Sequence, residues 1–277
     1  MRRPAALALN KPADMSPTPF QLYVWPHRLL VVGPAHASGA HRHHAAQIAC
    51  GLDGPVAYRC AEGGVQRGDV VLIPPDVVHS HEAFGAAAVL YLDAESAEWR
   101  GFPGGDAAGL AALPFDAGLR TLARQATGPD AQAAQAFADR LLGTTASAPA
   151  HEDELVAQVR DLIHARLEGA VTLASLATAV HRSPSRLAHR FSLATGLPLR
   201  RYVLWCRLRA AAEAAMRGAS LTEAAHVAGF ADSAHLSRTF RATFGIAPSL
   251  LFERGRFTVV CSDASSSRSI AKVPADS

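Results

Sequence analysis

Residues 220–248, with the sequence SLTEAAHVAGFADSAHLSRTFRATFGIAP, contain the starts of two helices and the turn between them. Ser220 followed by Glu223 three positions later is a capping box, which marks a helix start. Gly229 supplies the turn, because glycine adopts backbone conformations that other residues avoid. Asp232 is a preferred N-cap residue for the helix that follows. The stretch therefore predicts two short helices joined by a tight turn, which is the helix-turn-helix arrangement.

The same arrangement is predicted earlier in the chain. The spacing L-x3-F-x4-G begins at Leu187 and again at Leu236, 49 residues later. In the earlier copy, Ser183 suits the N-cap, Pro184 the first helical position and Gly196 the C-terminal stop. A helical-repeat scaffold would need three or more copies. Two copies therefore favour a tandem helix-turn-helix domain.

One continuous helix is predicted between the two copies, over residues 199–217. Its 19 residues would span roughly 28 Å at about 1.5 Å per residue. Successive segments of a DNA major groove lie about 34 Å apart. A helix of this length can therefore hold two recognition helices against one face of a duplex.

Charge is distributed unevenly along the chain. Residues 1–150 hold 11 basic and 13 acidic side chains, whereas residues 151–256 hold 14 basic and 9 acidic ones. A basic C-terminal half is typical of a polyanion-binding domain. The composition therefore agrees with DNA as the partner of the predicted helix-turn-helix units.

Residues 155–253 resemble the AraC/XylS family of bacterial transcription regulators. The resemblance lies in segments 224–230, 236–241 and 244–248, and in Arg207-Leu208-Arg209-x-Ala211. It implies that two recognition helices enter adjacent segments of the major groove of double-stranded DNA. Arg238 is then the best candidate for a guanine contact. The residues that would face bases are Ser185, Ala188, His189, Ser233, Ala234, Ser237 and Arg238, and those that would contact phosphate are Arg186, Arg190 and Arg241.

The N-terminal part has a different pattern. Short β-prone runs occur at residues 21–25, 29–32 and 69–73, and turn signals such as Asp53-Gly54-Pro55 separate them. This spacing predicts a small antiparallel barrel or sandwich over 20–105.

Several histidines lie within these predicted strands. The segments His41-x-His43-x3-Gln47 and Gly68-x5-Pro74-x4-His79 resemble the two-part cupin signature, and many AraC/XylS-type regulators carry such a barrel as an effector-sensing domain. The resemblance implies an effector site at His41, His43, Gln47 and His79. Three imidazoles can hold a divalent metal such as zinc, iron or nickel, so His41, His43 and His79 are candidate metal ligands. The alternative is a polar core patch in which these histidines are satisfied by hydrogen bonds.

Two residues depart from the cupin pattern. Gln47 stands where cupins place a ligating glutamate, and Asp76 stands where the second segment usually has glycine. A neutral amide is a poorer metal ligand than a carboxylate, so the departure at Gln47 argues against a metal-dependent enzyme. His44 and His81 are expected at the surface.

The remaining segments are predicted from composition. Two Ala-rich helices, broken near Gly128-Pro129, form a candidate dimerisation segment. No apolar run approaches the roughly 20 residues that span a bilayer, so we expect a cytoplasmic protein with no membrane partner. The predicted divisions are a mobile N-terminus at 1–19, a cupin-like barrel at 20–105, a helical segment at 106–142, a linker at 143–151, a tandem helix-turn-helix domain at 152–255 and a disordered tail at 256–277.

The predicted fold class is α+β, with a small N-terminal β-barrel followed by an all-α tandem helix-turn-helix domain. The leading hypothesis is a non-enzymatic, effector-responsive transcription regulator, an activator or a repressor, that binds double-stranded DNA as a homodimer and contacts RNA polymerase. The alternative is a cupin-type metal-dependent enzyme with a helical accessory domain. No cofactor other than a possible divalent metal in the barrel is expected.

Overall fold

The computed structural model describes residues 20–25, 27–60, 64–103, 105, 109–143, 153–249, 255–260 and 267–270. The predicted mobile segment 1–19 and almost all of the predicted linker 143–151 lie outside them. The strands are β1 (Phe20–Trp25), β2 (Arg28–Ala35), β3 (Ser38–His41), β4 (Ala46–Gly51), β5 (Val56–Cys60), β6 (Gly64–Gly68), β7 (Val70–Ile73), β8 (His79–His81), β9 (Phe84–Leu92), β10 (Ala111–Ala112), β11 (Gly255–Val260) and β12 (Ser267–Ile270). The helices are α1 (Ala97–Arg100), α2 (Ala117–Gln125), α3 (Ala131–Leu142), α4 (Glu154–Ala165), α5 (Leu173–Ala179), α6 (Pro184–Thr195), α7 (Leu199–Met216), α8 (Leu221–Val227) and α9 (Ser233–Phe244).

The N-terminal domain consists of two sheets. One has the strand order β10-β7-β4-β9-β2-β1-β11-β12, and the other has the order β3-β8-β5-β6. Val56 and Tyr58 of the smaller sheet pack against Ala49, Val71 and Ala87 of the larger one, so the two sheets share an apolar interior. The β-rich domain is confirmed, but its described strands form two packed sheets rather than a barrel closed by hydrogen bonds.

Part of the predicted C-terminal tail belongs to the larger sheet. Strand β11 pairs in parallel with β1, placing Gly255 opposite Phe20, and β12 pairs antiparallel with β11. The prediction of disorder over 256–277 is therefore wrong for 256–260 and 267–270. The physical reason is that β1 would otherwise be an edge strand, and an edge strand presents unpaired backbone groups to any segment that can extend beside it.

Helices α2 and α3 are the two helices predicted within 106–142. Their apolar faces, which include Leu119, Ala123 and Phe137, pack on the larger sheet next to Ile48 and Leu90. The apolar residues on these two helix faces therefore cover the larger sheet.

Helices α6, α8 and α9 begin at the predicted N-cap residues, and α6 and α9 end at the predicted glycines. Ser183 caps α6, Ser220 and Glu223 form the capping box of α8, and Asp232 caps α9. Gly196 and Gly245 end α6 and α9 in the left-handed conformation. Helix α7 is continuous over 18 residues, which agrees with the predicted helix between the two units.

The second helix-turn-helix unit packs directly on the N-terminal domain. Phe20 and Leu22 of β1 belong to the same buried cluster as Leu208 of α7, Leu236 of α9 and Phe240 of α9. The first unit has its own core, in which α4, α5, α6 and the start of α7 meet. Among the residues that the structure describes, the second unit thus shares its core with the β-sheet, whereas the core of the first unit contains residues of α4 to α7 and their connecting segments. In the described part of the chain, no helix is long and apolar enough to cross a bilayer.

Candidate functional site

Helix α6 has one buried face and one exposed face. Leu187 and Phe191 are fully buried, and they anchor the helix in the core of the first unit. Opposite them, four of the five predicted DNA-contacting residues of this helix lie exposed: Ser185, Arg186, His189 and Arg190. Ala188 is half-buried. A helix with this division presents hydrogen-bonding and cationic groups outward, as a recognition helix must.

Helix α9 repeats this division. Leu236 and Phe240 are buried, whereas Ala234, Arg238 and Arg241 are exposed. Ser233 and Ser237 are half-buried, so their hydroxyls are less accessible than the Arg238 guanidinium. Every predicted contact residue of α9 is therefore at least partly accessible.

One predicted phosphate contact already has a protein partner. Arg190 of α6 donates two hydrogen bonds to Asp153, with Nε–Oδ2 and Nη2–Oδ1 distances of 2.6 and 2.9 Å. Asp153 also caps α4 through its side chain. The hydrogen bond from Arg190 holds the pKa of the Asp153 carboxyl below its usual value. Both side chains stay partly exposed, so DNA phosphate and Asp153 can compete for the same guanidinium.

The structure brings together the three histidines that were predicted to meet. His41 ends β3, His79 starts β8, and His43 lies in the loop after β3. All three are buried, and one ring nitrogen from each lies within 4.8 Å of the other two. The ring centroids of His41 and His79 are 4.2 Å apart. We call these three residues the histidine cluster.

Backbone hydrogen bonds orient each imidazole of the histidine cluster. Nδ1 of His41 lies 2.8 Å from the Gly39 carbonyl, Nδ1 of His43 lies 2.8 Å from the Ala45 carbonyl, and Nδ1 of His79 lies 2.9 Å from the Val77 carbonyl. A carbonyl only accepts, so the neutral rings of His41 and His79 must carry their proton on Nδ1. In His43 both ring nitrogens face oxygen atoms, because Nε2 lies 3.0 Å from Oε1 of Gln47. The lone pairs of the His41 and His79 rings are therefore on Nε2. Histidines that ligate metals are commonly oriented in this way.

Burial keeps the histidine cluster uncharged. Burial, together with a smaller effect of the neighbouring imidazoles, lowers the pKa of His41 to about 4 and that of His79 to about 2. Burial lowers the pKa of His43 as well. Because an imidazolium cannot ligate a metal, the neutral state is the one that a cation needs.

Gln47 and two tyrosines surround the histidine cluster. The Gln47 amide lies 3.0 Å from Nε2 of His43 and 3.0 Å from the Tyr58 hydroxyl. The Tyr91 ring meets the His43 ring edge-on, with centroids 5.4 Å apart. Gln47 thus lies at the predicted site, whereas the two tyrosines were not predicted. In the sequence, each tyrosine is an aromatic residue within a β-prone run. Such a residue is also typical of an ordinary hydrophobic core, so the pattern does not indicate a site.

Asp76 explains one departure from the cupin pattern. Its backbone φ is 61°, in the left-handed region that favours glycine but that aspartate tolerates. Its carboxylate lies 3.1 Å from Nδ1 of His44 and 3.5 Å from the Arg201 guanidinium of α7. His44 was expected at the surface but is buried, with Nδ1 hydrogen-bonded to Asp76 and Nε2 lying 3.6 Å from the Glu95 carboxylate.

The C-terminal end of α9 contacts the histidine cluster. A Cβ built on Gly245 would lie 2.6 Å from Nδ1 of His41 and 2.8 Å from Cβ of Ser38. The Phe244 ring lies 6.1 Å from the His43 ring, at an interplanar angle of 28°. Nothing in the sequence indicates this contact, because a helix end sufficiently explains the Phe-Gly pair.

Two cavities adjoin this contact. One, of about 70 Å³, is bordered by His41, Gln47, Tyr58, Tyr91 and Phe244. The other, of about 130 Å³, lies between the larger sheet and helices α7 and α9. Its wall is mainly apolar, and Arg28, Asp93, Arg209 and Glu213 are its charged residues. A small molecule in either cavity would touch both the N-terminal domain and α9.

Comparisons with known proteins agree with this division of the chain. Residues 176–254 match a family model described as a helix-turn-helix domain. A transcriptional activator from Rhodococcus sp, NphR, is 35% identical over 119 residues, which are 42% of this chain and 35% of NphR. YijO from Escherichia coli strain K12, named as an uncharacterized HTH-type transcriptional regulator, is 32% identical over 111 residues, which are 39% of each protein. The matched stretches thus span well under half the length of both relatives.

Solved structures match more of the chain. ToxT from Vibrio cholerae O395 superposes with a TM-score of 0.55 at 10% identity, over 82% of this chain and 98% of ToxT. A second ToxT structure, with an unsaturated fatty acid bound, superposes with a TM-score of 0.53 at 13% identity, over 83% of this chain and 96% of ToxT. At these identities the likeness shows a common fold, a β-rich N-terminal domain joined to a helical helix-turn-helix domain.

Proposed function

We propose that this chain, which carries a helix-turn-helix domain of the AraC/XylS type, is a sequence-specific transcription regulator controlled by a small molecule. The observation that carries the proposal is the paired geometry of α6 and α9. Each helix buries a Leu–Phe pair and exposes arginines on the opposite side. Helix α7 joins the two units as one continuous element.

The exposed residues of α6 and α9 have two different roles in this proposal. Arg238 of α9 contacts a guanine, because an exposed guanidinium can bind O6 and N7 together. Arg186, Arg190 and Arg241 contact phosphate, which adds affinity without sequence information. Ser185, His189, Ser233, Ala234 and Ser237 complete the base-facing surface.

The small molecule binds between the N-terminal domain and α9. Two observations support this location: both cavities are lined by residues of α9, and the histidine cluster contacts the end of that helix. His41, His43, Gln47 and His79 form the polar side of the site. ToxT has been solved with an unsaturated fatty acid bound, and the mainly apolar wall of the larger cavity suits an apolar or amphipathic effector.

Further partners are proposed from the same function. A regulator of this kind contacts RNA polymerase to activate transcription, and it works as a homodimer through the segment 106–142. The alternative function, a cupin-type metal-dependent enzyme, is less well supported. Gln47 supplies a neutral amide where such an enzyme would have an anionic ligand, and the exposed arginines of α6 and α9 would have no purpose in catalysis.

The test is a selection of bound sequences from a random duplex library with the full chain. We expect an enriched site, and affinity for that site that falls roughly a hundredfold between about 50 and about 200 mM salt if about four phosphates are contacted. The negative control is a variant with both Arg186→Ala and Arg238→Ala. It should enrich no site. Absence of an enriched site, together with salt-independent binding, would refute the proposal.

A further inference from the structure

The histidine cluster meets the geometric requirements of a metal site. Three imidazoles come from two distant chain segments, and their Nδ1 atoms all face backbone carbonyls. The Nε2 lone pairs of His41 and His79 are therefore left for another partner, whereas Nε2 of His43 faces Oε1 of Gln47. Nε2 of His79 is buried and has no hydrogen-bond partner among the described residues. A buried polar atom without a partner destabilises the folded state, so it points to a ligand.

The remaining surroundings decide which ligand fits. No carboxylate belongs to the set of three neutral nitrogen donors, and such a set suits zinc, cobalt, nickel or iron rather than calcium or magnesium. The Gln47 amide lies beside Nε2 of His43 and can supply a fourth, oxygen donor. The cavity of about 70 Å³ next to His41 leaves room for water at a remaining position.

Binding a metal would require the histidine cluster to contract. Zinc–nitrogen bonds of about 2.0–2.1 Å in a tetrahedral site place the ligand atoms roughly 3.3 Å apart. The ring nitrogens are separated by up to 4.8 Å. One or more rings must therefore shift by an ångström or so.

Helix α9 is in direct contact with the rings that would shift. The Gly245 position allows no side chain between the helix end and His41. Phe244 faces His43, and it also contacts Phe240 in the helix core with centroids 4.5 Å apart. Closely packed interiors transmit such displacements rather than absorbing them.

We propose that His41, His43 and His79 bind a divalent transition-metal ion, and that Phe244 and Gly245 transmit its binding to α9. This inference rests on the proposed role of α9 in DNA recognition. The ligand class is a first-row divalent cation with a preference for nitrogen donors. Its binding changes the affinity for DNA, and by linkage DNA changes the affinity for the metal by the same factor.

The first experiment measures metal binding on the full chain after treatment with a chelator. Co²⁺ is titrated and followed by its visible absorption, and Zn²⁺ is used to displace it. We expect one ion per chain. His79→Gln should weaken Co²⁺ binding at least tenfold, since even the partners of ligands contribute about 10–100-fold. The matched control His226→Gln, which removes an exposed histidine of α8, should bind Co²⁺ like the parent. Failure of the parent to bind either ion would overturn the proposal.

The second experiment measures the coupling. DNA affinity of the parent is determined with and without Zn²⁺, and Co²⁺ affinity is determined with and without DNA. We expect both to change by the same factor, at least about fivefold. Phe244→Leu should keep the Co²⁺ spectrum and reduce this factor to less than about twofold. Metal binding with unchanged DNA affinity in the parent would overturn the coupling without any variant. Loss of DNA binding under every condition would instead refute the proposed function.

Discussion

Arg209 of α7 donates a hydrogen bond to the carboxylate of Asp93, 116 residues away along the chain. Asp93 directly follows β9, and its side chain is almost fully buried, whereas the Arg209 side chain is 31% exposed. The pair therefore joins the helix between the two reading units to the N-terminal domain. It borders the larger cavity, so a molecule bound there would lie beside the charged link between the two halves.

Removing this pair should loosen the contact between the two halves. Asp93→Ala removes the carboxylate that accepts this hydrogen bond from Arg209, and we expect a loss of unfolding free energy of about 2–3 kcal/mol. This is less than the roughly 3–5 kcal/mol of a fully buried pair, because Arg209 is partly solvated. The measurement is a double-mutant cycle with Arg209→Met, followed by denaturant unfolding.

The matched control for this cycle is Arg217→Met, which removes an exposed i,i+4 pair with Glu213. It should cost less than about 0.5 kcal/mol. If the effects of Asp93→Ala and Arg209→Met simply add within about 0.5 kcal/mol, the two residues are not coupled.

The bond between Arg190 and Asp153 should limit the affinity for DNA. Asp153→Asn keeps the cap of α4, since asparagine and aspartate cap equally well, but removes the charge that competes with phosphate. An exposed ion pair is worth about 0.2–1 kcal/mol, so affinity for all sequences should rise by up to roughly fivefold. The check is fluorescence anisotropy with a specific and a non-specific duplex.

Arg190→Ala should have the opposite effect. It should weaken both duplexes about equally and reduce the slope of log affinity against log salt by about one. Arg217→Ala, which removes an exposed arginine outside the reading helices, is the charge-matched control and should leave the affinity unchanged. An unchanged slope for Arg190→Ala would mean that Arg190 serves only to hold Asp153.

Arg238→Ala should change specificity rather than overall affinity alone. Loss of a bidentate guanine contact costs on the order of 1–3 kcal/mol and relaxes the preference at a single base pair. Arg241→Ala should weaken all sites alike, because a phosphate contact carries no sequence information. Both variants are compared on a library that covers every base at each position of the selected site. Identical profiles for the two variants would show that their roles are assigned wrongly.

Phe240→Ala should destabilise the second unit by roughly 3–5 kcal/mol, the usual cost of emptying a buried phenylalanine site. Phe240 is buried in a cluster that also contains Phe20 and Leu22. We therefore expect the N-terminal domain to lose stability in the same transition, which calorimetry would detect. Val227→Ala on the exposed surface of α8 should stay within about 0.5 kcal/mol. If Phe240→Ala left the unfolding temperature of the N-terminal domain unchanged, this result would contradict a core shared between that domain and the second unit.

The features that the sequence predicted correctly depend on local interactions. A cap such as Ser183 or Asp232 bonds a backbone N–H only three residues away, so the short segment contains both partners. The burial of Leu187 and Phe191 follows from helical spacing in the same way. Local chemistry was therefore enough to place both helix-turn-helix units.

The features that the sequence did not reveal depend on contacts between distant segments. The end of α9 is a sufficient reason for a glycine at position 245, and no neighbouring residue in the sequence indicates that His41 lies against it. The sequence predicts an exposed His44, because the carboxylates that face it, those of Asp76 and Glu95, are 32 and 51 positions away. The histidine cluster was predictable because the cupin resemblance relates its two distant segments. No local rule does so.

Gln47→Glu tests the proposed metal site by strengthening it. Gln47 is buried between His43 and Tyr58, so a carboxylate there would add an anionic oxygen donor beside the three imidazoles. Without metal, the buried charge or its protonated form should lower the melting temperature relative to the parent. With metal, the charge is compensated, and we expect Zn²⁺ to bind at least about tenfold more tightly.

The melting temperature should therefore rise more with Zn²⁺ in Gln47→Glu than in the parent, because a ligand stabilises the folded state in proportion to the logarithm of its concentration over Kd. Gln47→Leu is the control of similar volume. It removes the amide without adding a donor, so its response to Zn²⁺ should be no greater than that of the parent. Equal metal affinity in Gln47→Glu and the parent would show that the three imidazoles do not share an ion, since a carboxylate next to a bound cation cannot be without effect at this depth in the protein.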